Sequence, residues 1–389
     1  MNRGVISVTG VLLVYLLMLS SCELKQHITN NQNTTPAELL TLRWQYRDHG
    51  LADMDMPIDI LDDSSFIFAE GLFLSRIQVR TGKVSWTTQI DNKVSILGDY
   101  LLHDDSNIYG MHVRDFRGWN IDTGEEVWRF TLPDSIDGNA YTGHALCEGK
   151  IYVTTADYIL SLIPFDDMTG LYAARGYPST ILCQNGIIYY ANEWHENRED
   201  GLYETGSVTA LEPLTGDTIW TFTPLGTAPS YTAPLLSDQT TVYVGSCSAS
   251  GKHTDLFRTY AIDAQDGHLV WKTSEQIFTY HQILVGDTIY GNNGIGLYAL
   301  DKHTGALLWQ NDLGVGHGER PIAYWDGYLY HAKGGALHVV DARTGEIVIS
   351  RMLGPDKSSV RVASAGAGAV FVQTNQHLYC YEPYQPKTQ

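Results

Sequence analysis

Ala261-Ile-Asp263-Ala-Gln-Asp266-Gly267-His-Leu-Val-Trp271 returns in the same chain as Ala299-Leu-Asp301-Lys-His-Thr304-Gly305-Ala-Leu-Leu-Trp309, and as Ala210-Leu-Glu212-Pro-Leu-Thr215-Gly216-Asp-Thr-Ile-Trp220. An apolar alternating strand runs into a tight turn, and a second strand carries a tryptophan four residues after a glycine. The glycine supplies the positive φ that such a turn needs, and the Asp or Thr side chains bond the nearby backbone. Weaker copies place Gly82 before Trp86, Gly124 before Trp128, Gly345 before Ile349 and Gly170 before Ala174. The seven glycines are spaced by 42, 46, 46, 51, 38 and 40 residues. That period suits a blade of four short strands.

Upstream of each turn lies a strand with one large residue between apolar or small neighbours: Ile67, Tyr109, Tyr152, Tyr189, Tyr243, Tyr290, Tyr330 and Phe371. This second count gives eight blades. The last, ending in Leu378-Tyr-Cys-Tyr-Glu382, has no outer strand of its own, whereas Leu39-Leu-Thr-Leu-Arg-Trp44-Gln-Tyr46 has the outer-strand pattern with no inner strands before it. The expected fold is therefore all-β: an eight-bladed β-propeller of four-stranded blades over residues 39–384, closed by the N-terminal strand pairing into the last blade, with 385–389 as a tail. Closure removes the unpaired edges that a linear array would leave. The tryptophans are read as core, filling the wedges between blades.

The chain opens with Arg3, an apolar run from Val11 to Leu19, and Leu19-Ser20-Ser21-Cys22. A basic start, a short apolar run and small residues make an export signal, and a run this short falls well below the roughly 20 residues that span a bilayer. The Leu-Ser-Ser-Cys order matches a bacterial lipobox, so residues 1–21 are expected to be removed and Cys22 acylated, palmitate being one such acyl group. Residues 22–38 are polar and aperiodic, the composition of a flexible tether. Glu23 after the cysteine favours the outer membrane, on its periplasmic side. The net charge is −19, and losing residues 1–21 removes one base and no acid, leaving −20. Such a charge disfavours nucleic acid and anionic lipid, so contact with the membrane is expected through the anchor alone.

The Ala-x-Asp-x-x-x-Gly-x-x-x-Trp unit resembles the quinoprotein-type (PQQ-like) propeller repeat. With the lipobox, the length and eight repeats, the chain resembles the BamB-like lipoproteins of the outer-membrane β-barrel assembly machinery. The resemblance implies a non-enzymatic scaffold that binds membrane-associated protein, a β-barrel assembly component among the candidates. Two alternatives stand beside it: a propeller that binds a solute in its central channel, and a relic of a quinone-dependent dehydrogenase. The dehydrogenases carry vicinal cysteines, and this chain has none. No nucleophile elbow, zinc-protease motif or phosphate loop occurs, so no catalytic residue, metal or cofactor is expected.

Cys147 and Cys183 fall at near-equivalent places on inner strands of adjacent blades and are read as separate core residues, because strands of different blades rarely reach disulfide geometry. Two long connections between second and third strands, Asn192–Gly206 in blade 4 and Ser246–Phe257 in blade 5, emerge on one face in adjacent sectors. Insertions on one face of a repeat ring commonly mark its binding surface. Trp194, Leu202, Tyr203 and Phe257 are the candidate partner anchors. His144, Thr180, Thr232, His281, Arg320 and Arg361, near the starts of inner strands, are the candidate channel lining.

Overall fold

The computed structural model describes residues 40–47, 58–70, 73–90, 101–112, 115–134, 143–155, 158–165, 168–173, 177–198, 201–224, 228–229, 235–247, 257–275, 277, 279–314, 321–352, 360–374 and 377–386. The segments expected as signal peptide and tether, with Cys22, lie outside them. The described residues form eight antiparallel sheets and no helix. Blades 1 to 7 span residues 59–89, 102–131, 144–173, 177–222, 228–272, 281–310 and 322–352. Blade 8 consists of Val360–Gly366, Ala369–Thr374 and His377–Tyr381, with Leu42–Arg47 as its outer strand.

That last pairing closes the propeller as the sequence predicts. Trp44 stands opposite Cys380 and Arg47 opposite His377. Beyond the ladder, Glu382 N–H donates to the Thr41 carbonyl at 2.8 Å. Arg43 forms an ion pair with Glu382 and donates to the Gly368 carbonyl at 2.7 Å.

The repeat has a simple packing logic. In blade 5, Tyr243 on the second strand, Ala261 on the third and Trp271 on the outer strand are successive cross-strand partners. The small middle residue lets the two rings meet over it, with centroids 5.9 Å apart. Blades 4 and 6 repeat the triple as Tyr189, Ala210, Trp220 and Tyr290, Ala299, Trp309, at 5.7 and 6.0 Å. Blade 1 inverts the sizes, with the smaller Ile67 beside Arg76. There the guanidinium reaches into blade 2, donating to the Ile121 carbonyl at 3.1 Å and to Asp122 at 2.8 Å.

Five of the outer-strand tryptophans then latch onto the next blade. The Trp271 indole N–H donates to the Lys302 carbonyl at 2.9 Å, and its ring lies where a Cβ on Gly305 (φ 70°) would stand. Trp44, Trp86, Trp220 and Trp309 do the same with Val79, Ile121, Ala264 and Ala342, at 2.8 to 3.1 Å. Asp263, Asp301 and Asp341 hold the turns by accepting two backbone N–H bonds each. A core tryptophan that is also latched contributes both its apolar area and a satisfied donor.

Blade 3 corrects two sequence readings. Thr169 and Gly170 are not a turn: they lie within the outer strand Met168–Ala173, and the third strand instead ends at Leu162, before Phe165 with φ 67°. The tryptophan's register position, opposite Ser161, is held by Gly170. The ring comes from Tyr172 rather than from the Ala174 position, and its hydroxyl donates to the Pro213 carbonyl at 3.0 Å. Secondly, Cys147 and Cys183 are not separate core residues but a disulfide, with Cα atoms 5.5 Å apart. The innermost strands of blades 3 and 4 come close enough at their turn ends for the two side chains to meet. Closing this 36-residue separation restricts the unfolded chain by roughly 4 kcal/mol in the chain-entropy picture.

Candidate functional site

In a four-stranded blade the connections between strands two and three emerge on the same face as those between blades. Among the described residues, blade 4 is the most extended on that face. The segment read from sequence as an insertion between strands is a continuation of the strands themselves. Ile187–Arg198 pairs with Gly201–Leu211 without interruption from Ile188↔Leu211 to Arg198↔Gly201.

The innermost strand accompanies this ribbon only as far as Tyr177↔Glu193, and the outer strand only as far as Val208↔Phe222. Pairs from Trp194↔Thr205 to Arg198↔Gly201 therefore stand beyond both flanking strands, about 17 Å of ribbon at a strand's rise per residue. Its base is clamped by buried groups. The Asn192 side-chain oxygen accepts from Ser207 N–H at 3.2 Å and from the Ser207 hydroxyl at 2.5 Å. The candidate anchors Trp194, Leu202 and Tyr203 all lie on this ribbon. The ribbon's sequence carries Glu193, Glu196, Glu199, Asp200 and Glu204 against Arg198.

Next in the ring, the blade 5 connection 248–256 lies outside the described residues. Phe257, at its end, is half-buried, and its carbonyl accepts from Ile277 N–H at 3.1 Å. In blade 6 the corresponding turn, Asn293-Gly-Ile-Gly296, presents Ile295 with 56% of its surface exposed. The turn is held from blade 7 by Lys333. This buried ammonium donates to the Gly294 carbonyl at 2.6 Å and also to the Ile295 carbonyl. Burial pulls its pKa down, with Asp312 opposing. Ile295 and Lys333 were not singled out from sequence; an isoleucine between two glycines in a short turn is the signal that could have found the first, and nothing local marks the second.

The candidate channel residues are distributed rather than gathered. Thr232 and Arg320 lie outside the described residues. Thr180 and Arg361 are half-buried on the innermost strands of blades 4 and 8. His144 is turned into the junction of blades 2 and 3, lining a cavity of about 10 Å³ with Tyr109, Arg117 and Trp128, room for about one water. His281 is buried between blades 6 and 7, where its Nδ1 accepts from Ile322 N–H at 3.3 Å. Burial pushes its pKa down to about 4. On the opposite face, Asp263, Asp266 and His268 offer ligand atoms within 4.8 Å of one another, but Asp263 is already the anchor of its turn and Asp266 bonds His268 at 2.6 Å.

The family profile described as outer membrane protein assembly factor BamB matches residues 204–290 and 292–383. Both matches fall in blades 4 to 8, where the repeat is most regular. Among solved structures, BamB from Moraxella catarrhalis superposes with a TM-score of 0.64 at 16% identity, covering 90% of this chain and 100% of that one. The chain is an eight-bladed β-propeller whose repeats in blades 4 to 8 are similar to those of the BamB profile. The chain also superposes on a computationally designed protein, Ika8, with a TM-score of 0.64 at 14% identity, covering 86% of this chain and 98% of that one. No curated protein matches it in sequence. At such identities the superpositions speak for the fold, and one propeller serves enzymes and scaffolds alike.

Proposed function

We propose that this protein is a non-enzymatic scaffold, anchored through a lipid on Cys22 to the periplasmic side of the outer membrane, that holds a membrane-associated protein of β-barrel assembly on the face bearing the second-to-third-strand connections of blades 4 to 6. The observation that carries the reading is the blade 4 ribbon. A two-residue turn after Asn192 would satisfy the ladder, yet the chain continues it for five further pairs, beyond Glu193↔Gly206 and free of both flanking strands. Ribbon edges that run on past their neighbours invite pairing with other chains, and a fold that carries them on the same face as the exposed Ile295 has a use for that face. The family whose profile matches points to outer-membrane assembly. The disulfide agrees with an oxidising compartment, where such bonds persist.

The test replaces residues 193–205 with an Asn-Gly turn and compares cross-linked partners recovered from membranes. Loss of the partners with an unchanged melting temperature is the expected result. Recovery of the same partners in the same yield would place the binding surface elsewhere.

A further inference from the structure

The junction between blades 3 and 4 departs from its neighbours at both ends. At the rim, Gly170 stands where six other blades carry tryptophan and blade 7 carries Ile349, and Tyr172 covers Gly216 from two residues farther along the strand. At the hub, Cys147 ends the innermost strand of blade 3, and Cys183 lies one residue from the end of the innermost strand of blade 4. Between them in sequence come the remaining three strands of blade 3. The bond therefore encloses that blade and ties it to the next.

We infer that the protein is a client of a dithiol-oxidising partner, and that the junction of blades 3 and 4 is completed by oxidation of Cys147 and Cys183. The partner is of the class that carries its own exchangeable disulfide. The thiolate of one cysteine attacks that disulfide, forming a mixed disulfide and releasing one partner thiolate. The second cysteine then attacks the mixed disulfide, closing the Cys147–Cys183 bond and leaving the partner as a dithiol. The two electrons and two protons lost by the chain are thus accounted for on the partner.

Cys147 is buried in the finished fold, 2% exposed, whereas Cys183 is half-buried, so Cys183 is the thiol that a partner reaches first and Cys147 closes the bond from within. Cys380 does not compete once blade 8 has formed. It is fully buried opposite Trp44, and burial pushes its thiol up to about 12, which removes the thiolate that exchange requires.

The experiment alkylates the exported protein in denaturant before and after reduction and maps the labelled peptides. Cys147 and Cys183 should be labelled only after reduction, and in cells lacking the oxidase both should be labelled directly. Reductant should lower the melting temperature of the wild-type protein by on the order of 5 °C. The C147A/C183A variant should melt at that lower temperature and ignore reductant. Direct labelling of both thiols in unreduced protein from oxidase-containing cells would overturn the proposal, and so would cleavage of the bond in wild-type protein without a change in melting. None of these readouts depends on which partner the propeller scaffolds.

Discussion

The junction of blades 5 and 6 and the junction of blades 3 and 4 solve the same packing problem with different chemistry. In the first, Trp271 crosses the rim, covers Gly305 and donates to the Lys302 carbonyl. In the second, the smaller Tyr172 reaches Gly216 and the Pro213 carbonyl, and a covalent bond holds the hub. A rim latch stabilises the folded state through buried area and a satisfied donor. A staple acts mainly on the unfolded chain. A repeat fold can therefore lose its signature residue in one unit and keep its ring closed.

The largest expected difference comes from removing the two rings. Trp271→Ala should cost about 3–5 kcal/mol, as buried aromatic truncations do. Tyr172→Ala should cost about 2 kcal/mol less, because its ring is smaller and only partly buried. Urea denaturation of the two variants measures both costs. Equal losses would mean that the blade 3 rim is no weaker than the others and that the staple compensates for nothing.

The sequence shows one of these solutions and hides the other. Tryptophan recurs at a fixed offset from glycine, so Trp220, Trp271 and Trp309 announce both the turn and the latch. Tyr172 breaks the offset by two residues, which is why Thr169-Gly170 reads as a turn although it is strand. Proximity of Cys147 and Cys183 depends on how closely two inner strands converge at the hub, a tertiary quantity with no local signature. The blade 4 segment was legible as an irregularity on the right connection, but its polar composition concealed that it pairs as a continuous ribbon. His144 and His281 read as channel lining because inner strands face a channel; that His144 lines a cavity with blade 2 residues and His281 accepts from blade 7 is decided by neighbouring blades.

A third junction sharpens the comparison through pH. Blades 6 and 7 keep a regular rim latch, Trp309 to the Ala342 carbonyl at 2.9 Å, but their hub is polar. His281 and His331 are buried, with burial pushing their pKa values down to about 4 and about 3. His338, buried beside Lys333, is also lowered. Below about pH 6.5 the unfolded chain takes up protons on these imidazoles and the folded chain does not. Stability is therefore fully present above that pH and lost as pH falls toward 4. His281 and His331 should each remove about 2 kcal/mol by pH 5. His331→Asn keeps a donor for the Pro321 carbonyl, which the His331 Nδ1 meets at 3.2 Å, and cannot titrate. Melting curves between pH 7 and 5 should be flatter for that variant, and an unchanged slope would show that this hub does not govern the acid sensitivity.

The smallest effect separates the latch from the turn it covers. Gly149, Gly216 and Gly305 all have positive φ, 77°, 74° and 70°, so alanine at any of them pays the left-handed penalty of about 1–2 kcal/mol. Their surroundings differ. A Cβ at Gly149 would meet nothing within 4 Å, at Gly216 it would lie 2.0 Å from the Tyr172 ring, and at Gly305 2.4 Å from the Trp271 ring. Gly149→Ala therefore reports backbone strain alone, and the excess cost of the other two reports displacement of a ring. Tyr172 is half-buried at the rim and can swing outward, whereas Trp271 is buried and tied by its indole N–H. Gly305→Ala should thus exceed Gly149→Ala by about 1–3 kcal/mol, the range of an overpacked core, and Gly216→Ala should fall between them. Chemical denaturation of the three variants ranks them. If Gly216→Ala proves the most costly, the tyrosine is held as firmly as the tryptophans, and the weakness of blade 3 lies elsewhere than at its rim.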